Sequence, residues 1–405
     1  MVFPAANGGT ESTSGAARDT RRFAALMRVL AIQTALAITS GGARADYEIL
    51  AQLAYRGHAI EAVMPRTNRS VCTAPPGVRM RWISARGLKF PQSLGLMALP
   101  GLLRAALRFG PHIIRDHSPY SYGLASPWLG RLLRVPVVGM IYHLDGSLPG
   151  ARWVERSLLG RYDLVLTISE FSQGQLRRIA PRIAERTEAI GCGVAAQFAR
   201  PESESGVWRR EKGIPADVPL FSTSGVLTAR KNHIFLLQVM QAWLQRGRDG
   251  FLIVTGEGEL AQWLKSQARA AEVDKRVLFP GYLPEDELCR VFASSTAFLF
   301  PSRMEGFGMA PAEAMACGTP AIVSDRGALP EVVRDGESGY VLPIDQGVEP
   351  WLRAMERLCD DRGLRTRMTA AALTDVRERF SWERAGRETE ATFQRVIAAH
   401  RRSVG

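Results

Sequence analysis

Short apolar runs alternate with amphipathic stretches along nearly the whole chain. In the first half, Arg28-Val-Leu-Ala-Ile32, Ile60–Met64, His112–Arg115, Val135–Ile141 and Leu164–Ser169 are nearly unbroken apolar segments of strand length. Leu220–Gly225, Phe251–Thr255, Val277–Phe279, Thr296–Phe300 and Ala321–Val323 repeat the pattern in the second half. Runs without polar alternation suit strands buried on both faces, and helical segments between them suit the crossovers of a parallel sheet. The pattern predicts an α/β chain with two doubly wound parallel sheets. Between them, residues 197–215 hold Pro201, the Glu202-Ser-Glu-Ser205 run and Pro215, and read as an interdomain connection.

Local signals place loops at the strand ends. After the first strand come Gly41-Gly42 and a helix from about Ala45 to Arg56, stopped by Gly57. Such a strand, glycine turn and helix start can cradle an anion or form a plain turn. His143 follows the strand Val135–Ile141 at its carboxyl end, where these sheets place ligands, and His117 holds a similar position one strand earlier. Lys231 precedes a helix that Asn232 is expected to cap and that runs to about Gln245. Leu94–Phe109 carries Leu96, Leu99, Leu102, Leu103, Ala106 and Leu107 beside Arg104 and Arg108. Pro100-Gly101 argues against one continuous helix there. The segment reads as a core-facing element or as an apolar and basic one that touches a membrane.

The densest information lies in Pro301–Pro320, PSRMEGFGMAPAEAMACGTP. Pro301 and Ser302 end the strand before it, and Gly306 and Gly308 let the backbone approach a ligand with its amides outward. Pro311 fits a first helical turn, Gly318 suits the position after a helix and Pro320 forbids continuation. This β-loop-α-β unit is a ready anion site at a strand's carboxyl end. Glu305 precedes the glycines and Glu313 falls in the first helical turn. Either carboxylate alone is a routine surface charge or helix-dipole partner. Together, flanking a phosphate-type loop, they suit a ligand with both phosphate and hydroxyl groups: a nucleotide sugar.

Composition narrows the class. At 405 residues the chain suits two domains of about 180 residues each. Five scattered cysteines without metal-ligand spacing argue for reduced thiols and a cytoplasmic setting. The absence of a D-x-D pair leaves no indication of a carboxylate-held metal. Of 52 basic residues only five are lysines, and the net charge is +12. No basic run with interleaved aromatics supports nucleic-acid binding, so the charge fits a solvated surface, a polyanionic acceptor or peripheral contact with the inner membrane face. Arg21-Arg22 and the segment Phe23–Thr39 imitate an export signal, but Arg28 and Gln33 interrupt it and the first strand needs the same residues. No apolar run approaches eighteen residues. Residues 1–22, rich in Gly, Ser, Thr and Ala, read as a disordered tail.

The string P-S-x-x-E-G-F-G-x-x-x-x-E-A-M-A-C-G-T-P-A-I, with its E-x7-E spacing, resembles the signature of glycosyltransferase family 4. Those enzymes are retaining, use nucleotide sugars and have the GT-B fold of two Rossmann-like domains facing across a cleft. The resemblance extends from about residue 27 to about 400, strongest over 296–345 and thinnest over 65–110. It implies an acceptor-binding domain at 23–205, a nucleotide-sugar domain at 206–380 and a helix at 381–405 crossing back to the first domain. Phe380-Ser-Trp382 would open that helix.

By the same resemblance, Glu313 binds the ribose, while Glu305 and the Gly306-Phe307-Gly308-Met309 backbone hold the donor sugar and diphosphate. Gly41 and Gly42 lie against acceptor and donor phosphate, and Gly256 with Gly258, Val277–Phe279 and Gly281 lies near the base. His143 faces the sugar, and His143, Glu305 and Lys231 are the catalytic candidates. Ser169-Glu170 matches a family Ser-Glu in which Ser169 serves as an N-cap. Family members read G-R-L-x-x-x-K where this chain reads Gly225-Val226-Leu227-Thr228-Ala229-Arg230-Lys231. Val226 thus replaces one cation of the diphosphate clamp, and Arg230 is the candidate substitute.

The expected reaction moves a hexose-type sugar from a UDP- or GDP-sugar, ahead of an ADP-sugar, to a small-molecule, lipid-linked or glycan acceptor. It needs neither cofactor nor metal. Such transfer serves polysaccharide, glycolipid or natural-product biosynthesis. Rival readings are a GT-B epimerase or phosphorylase and a non-catalytic sugar-nucleotide-binding subunit.

Overall fold

The computed structural model describes residues 26–34, 36, 41–85, 93–142, 144, 153–198 and 205–404. The expected tail at 1–22 and the candidate His143 lie outside them. The first sheet contains β1 (Arg28–Ile32), β2 (Ala59–Pro65), β3 (Val78–Ile83), β4 (Ile113–Asp116), β5 (Val137–Ile141), β6 (Leu164–Thr167) and β7 (Thr187–Ala189), in the order β3-β2-β1-β4-β5-β6-β7. The second contains β8 (Leu220–Ser224), β9 (Phe251–Thr255), β10 (Val277–Gly281), β11 (Ala297–Phe300), β12 (Ala321–Ser324) and β13 (Gly339–Leu342), in the order β10-β9-β8-β11-β12-β13. Every strand pair is parallel. Strand order reverses between β1 and β4 and between β8 and β11. The loops leaving neighbouring strands there turn to opposite faces and open a crevice at the carboxyl edge.

The helices that concern the site and its supports are α1 (Gly41–Tyr55), α2 (Ser93–Phe109), α3 (Ser126–Leu133), α4 (Glu170–Ile179), α5 (Ser205–Glu211), α6 (His233–Gln245), α7 (Ala261–Ala270), α8 (Glu285–Ala293), α9 (Met309–Ala316), α10 (Glu349–Asp360), α11 (Arg362–Arg379) and α12 (Trp382–Val404). Four differ from the sequence reading. Helix α1 starts at Gly41, so the double glycine forms its first turn rather than a free loop. Helix α2 runs unbroken through Pro100. Its small buried face, Gly95, Ala98, Leu102, Ala105 and Ala106, seats it on the sheet, and Gly101 approaches Ile83 of β3 closely. That packing offsets the roughly 3 kcal/mol an interior proline costs. The opposite face leaves Leu96, Met97, Arg104, Leu107 and Arg108 exposed, so α2 is core-facing on one side and apolar-basic on the other.

The expected connection at 197–215 contains α5, whose buried Trp208 packs towards α8 and donates to Glu287 at 3.4 Å. Asn232 precedes α6 but does not cap it with its side chain. It adopts a left-handed conformation and donates instead to the Pro301 carbonyl at 3.2 Å, tying the β8 loop to the end of β11. Ser169 does cap α4, accepting from the Ser172 amide at 3.1 Å.

The halves are joined by two chain passages lying side by side. Val194 donates to the Phe380 carbonyl at 3.0 Å, and a Cβ on Gly193 would come within 2.3 Å of the Trp382 amide nitrogen. Only glycine allows that approach. Beyond the passage, α12 lies on α1: Gly386 sits against Gln52, and Glu390 receives both Arg56 and His58 Nε2, the latter at 3.0 Å. One apolar cluster runs from β1 and α1 through Cys192, Phe380 and Trp382 to Phe307. Among the described residues no helix is long and apolar enough to cross a membrane.

Candidate active site

The loops after β8 and β11 flank the reversal point of the second sheet, and they carry the cations and the first carboxylate. Lys231 Nζ lies 2.8 Å from Glu305 Oε1 and 4.6 Å from the centre of the Phe300 ring. Arg230 Nη1 reaches the same oxygen at 2.9 Å and the Met304 carbonyl at 2.6 Å, and the Ser302 hydroxyl donates to it at 2.6 Å. All three contacts fall on Oε1; among the described residues Oε2 has none and can still accept from a ligand hydroxyl. Burial would raise the Glu305 pKa, but Lys231 and Arg230 outweigh it and hold the carboxyl below its ordinary range. Burial pushes the Lys231 ammonium down, against the pull of Glu305. Val226, at the place of the family arginine, is 58% exposed. Arg230 therefore brings a second cation to this cluster, beside Lys231, by another route.

Backbone geometry keeps the place open. Gly256 adopts φ +115°, and a Cβ there would lie 2.1 Å from the Gly225 carbonyl oxygen. A Cβ on Gly225 would in turn lie 3.5 Å from Lys231 Cε. Gly308, at φ +117°, turns the chain into α9 and leaves no room for a Cβ beside Leu329. Among the described residues the amides of Gly306, Phe307 and Gly308 have no acceptor, and the first amides of α9 have none within the helix. Bare amides at a helix N-terminus next to a lysine and an arginine form an anion site. Phe307 is buried edge-on against Phe380, with ring centres 5.4 Å apart, so the signature loop rests on the passage between the halves.

Glu313 lies one turn into α9, within electrostatic reach of Lys231, Arg44 and Glu285. Burial pushes its pKa up to about 7; Arg44 and Lys231 pull it back and Glu285 adds to the rise. Arg44 and Glu285 were not foreseen from the sequence. Arg44, buried in α1, pairs across the cleft with Glu285 of α8, which also receives Gln197. A Cβ added to Gly41 would lie 3.8 Å from Met309 Cγ, and one on Gly42 would lie 3.4 Å from the Tyr142 ring. On the far side, Glu331 accepts from the first amides of α4, Glu170 at 2.9 Å and Phe171 at 2.5 Å, and Ser172 reaches the Gly306 carbonyl at 3.5 Å. The two halves thus meet on both flanks of the signature loop.

In the first half, the carboxylate of Asp46 in α1 gathers Arg115, His117 and the Tyr142 hydroxyl, all at strand ends beside the cleft. His117 thus lies largely buried against Asp46, and burial pushes its pKa down to about 4. Behind it, Asp116 accepts from the Tyr162 hydroxyl at 2.6 Å and the Ser118 amide at 2.9 Å, and burial lifts its pKa to about 6. Among the described residues no cluster of His, Cys, Asp and Glu is placed to hold a metal ion.

Comparison with known proteins gives matches across both halves. A family model described as Glycosyl transferases group 1 matches residues 205–375, and one described as Glycosyl transferase 4-like domain matches residues 40–193. The D-inositol 3-phosphate glycosyltransferase of Corynebacterium kroppenstedtii is 31% identical over 306 residues, 69% of this chain and 67% of that protein. An uncharacterized glycosyltransferase of Methanocaldococcus jannaschii is also 31% identical, over 45% of this chain and 46% of its own length. The crystal structure of Anabaena HepE in complex with UDP and glucose superposes with a TM-score of 0.73 at 17% identity, covering 90% of this chain and 99% of that one.

Proposed function

The chain belongs to the GT-B glycosyltransferases, and we propose that it is a retaining, metal-independent enzyme that moves a hexose-type sugar from a nucleoside-diphosphate sugar to an acceptor hydroxyl. The observation that carries this reading is the convergence of Lys231, Arg230, Glu305 and the bare Gly306–Gly308 amides on one crevice of the second sheet. The diphosphate would lie against the cations, the amides and the N-terminus of α9. Charge developing on it during C–O cleavage then meets groups already in place, which is the most effective form of electrostatic catalysis. Glu305 Oε2 accepts from sugar hydroxyls, and Glu313 takes the ribose. His143, facing the sugar, enters this reading from the family resemblance. Gly41, Gly42, Gly225, Gly256, Phe307 and Met309 supply close backbone walls rather than chemistry. Among the described residues no carboxylate stands ready as a covalent nucleophile, which favours attack on the face the diphosphate leaves, with the departing phosphate taking the acceptor's proton.

Thermal-shift titration with UDP-, GDP- and ADP-glucose tests the donor. A true donor at 100 times its Kd should stabilise by about 2.7 kcal/mol. UDP-glucose is the first expectation, since the HepE structure holds UDP and glucose. NMR of the product's anomeric proton then reads the configuration. An inverted product would overturn the retaining assignment, and epimerised donor without acceptor would favour the epimerase. A protein that binds the donor yet never hydrolyses or transfers it would be the non-catalytic subunit.

Glu313 adds a pH signature. Its raised pKa leaves it part-protonated near neutrality, and only the ionised form can accept two ribose hydroxyls. Donor affinity should therefore weaken as pH falls below about 7, and Glu313→Gln should bind weakly with a flatter profile. Stability runs the other way. A carboxyl with a raised folded pKa favours the fold at low pH and loses that contribution as pH rises through about 7. Glu313→Gln should gain Tm relative to the parent at pH 8 more than at pH 5. Parallel pH profiles for the two proteins would exclude this role.

A further inference from the structure

We propose that Arg66, Arg69 and Trp82 form a subsite for a phosphate carried by the acceptor, so that the acceptor is a phosphorylated sugar or polyol. This deepens the transferase reading and rests on it. A cavity of about 660 Å³ is lined by Arg66, Arg69, Met80, Arg81 and Trp82. Arg81 is already engaged: with Nη2 at 3.0 Å it grips both oxygens of the buried Glu61. Arg66 and Arg69 are exposed and, among the described residues, face no carboxylate. Arg69 stands 6.0 Å over the Trp82 ring. Glu61, the acidic residue nearest in the chain, is taken by Arg81 and Arg79. From residue 62 to residue 144 the chain holds eleven basic residues and one acidic one, the buried Asp116.

The pocket belongs to the cleft-facing end of the first sheet. Arg66–Val71 is a 3-10 turn directly after β2, one strand from the reversal point. Asn68 Nδ2 donates to the Thr34 carbonyl at 2.6 Å, and the Thr73 amide to the Leu36 carbonyl at 2.9 Å. Both acceptors lie on the segment leading from β1 to Gly41, where an added Cβ would lie 3.8 Å from Met309 Cγ at the start of α9. Free guanidiniums bind phosphate in forked, charge-assisted pairs, and the Trp82 and Met80 faces give a carbon-lined wall for a ring. The phosphate could belong to a soluble sugar phosphate or to a lipid headgroup, and the chemistry of the subsite is the same for both.

The full-length protein is titrated calorimetrically, without donor, with glucose 6-phosphate and D-inositol 3-phosphate against glucose and inositol. Its sedimentation with vesicles of 20% phosphatidylinositol in phosphatidylcholine, against phosphatidylcholine alone, reports the lipid source. At least one phosphorylated probe should bind about tenfold or more tighter than its neutral counterpart, and the R66A/R69A variant should lose that preference. Because both side chains are exposed and, among the described residues, form no ion pair, the variant should keep its Tm and its affinity for UDP. The assignment is overturned if no phosphorylated probe is preferred, or if the variant retains the preference. Failure of UDP and every sugar nucleotide to bind the parent protein would instead overturn the transferase reading while leaving the phosphate result readable.

Discussion

Lys231→Ala should lower kcat by a few hundredfold, about 3–4 kcal/mol of barrier, with a smaller change in donor KM. The ammonium sits 2.8 Å from Glu305 and is largely enclosed, so it works in a medium where a charge is worth far more than in water. On the proposed reading a ground-state diphosphate would also meet Arg230 and the Gly306–Gly308 amides, which limits the loss in binding. The charge arriving on the leaving oxygen needs the nearest cation most, which is why the loss concentrates in kcat. Arg230→Ala should cost less, because its guanidinium is half exposed and partly screened. Initial rates of nucleotide release at saturating donor would separate the two variants. Undiminished turnover in Lys231→Ala would remove the ammonium from the mechanism.

Much of this cleft was legible because its parts are contiguous in the chain. The signature loop, its glycines and both glutamates fall within nine residues, from Glu305 to Glu313. The β9 run Phe251–Thr255 is an unbroken apolar stretch whose bounds are those of the strand. What the sequence concealed depends on distance or context. Arg44 and Glu285 are 241 residues apart, and no local pattern marks either as a partner. Pro100 breaks an isolated helix, but the flat alanine-glycine face beneath it binds to the sheet strongly enough to override that preference. Val78-Arg-Met-Arg-Trp-Ile83 alternates polar and apolar positions because β3 is an edge strand, so it lacks the uniform apolar run that marks the central strands. Asn232 has the residue type of a cap, yet its left-handed backbone aims the amide elsewhere.

The acidic side chain on the first-half wall of the cleft has the larger consequence for stability. Asp46→Ala should destabilise the protein by about 3–5 kcal/mol, more than any other single change considered, by stranding a buried cation. Arg115 is completely enclosed, and among the described residues its Nε and Nη1 have no hydrogen-bond partner. Its Nη2 contacts are Asp46 and, at 3.4 Å, the Tyr142 hydroxyl. Without the Asp46 carboxylate, Asp116 remains as compensating charge, but its own hydrogen bonds go to Tyr162 and Ser118. Tyr142 loses its acceptor as well, and with it the support for Gly42 at the cleft wall. Asp46→Ala paired with Arg115→Met should recover much of the loss, because a buried ion pair replaced whole by apolar groups costs little. Urea unfolding of the parent, the two single variants and the double variant at pH 7 measures this coupling. A loss below about 1 kcal/mol in Asp46→Ala would mean that Arg115 finds its counter-charge elsewhere, and the cluster would then owe its place to shaping the cleft rather than to holding the first sheet together.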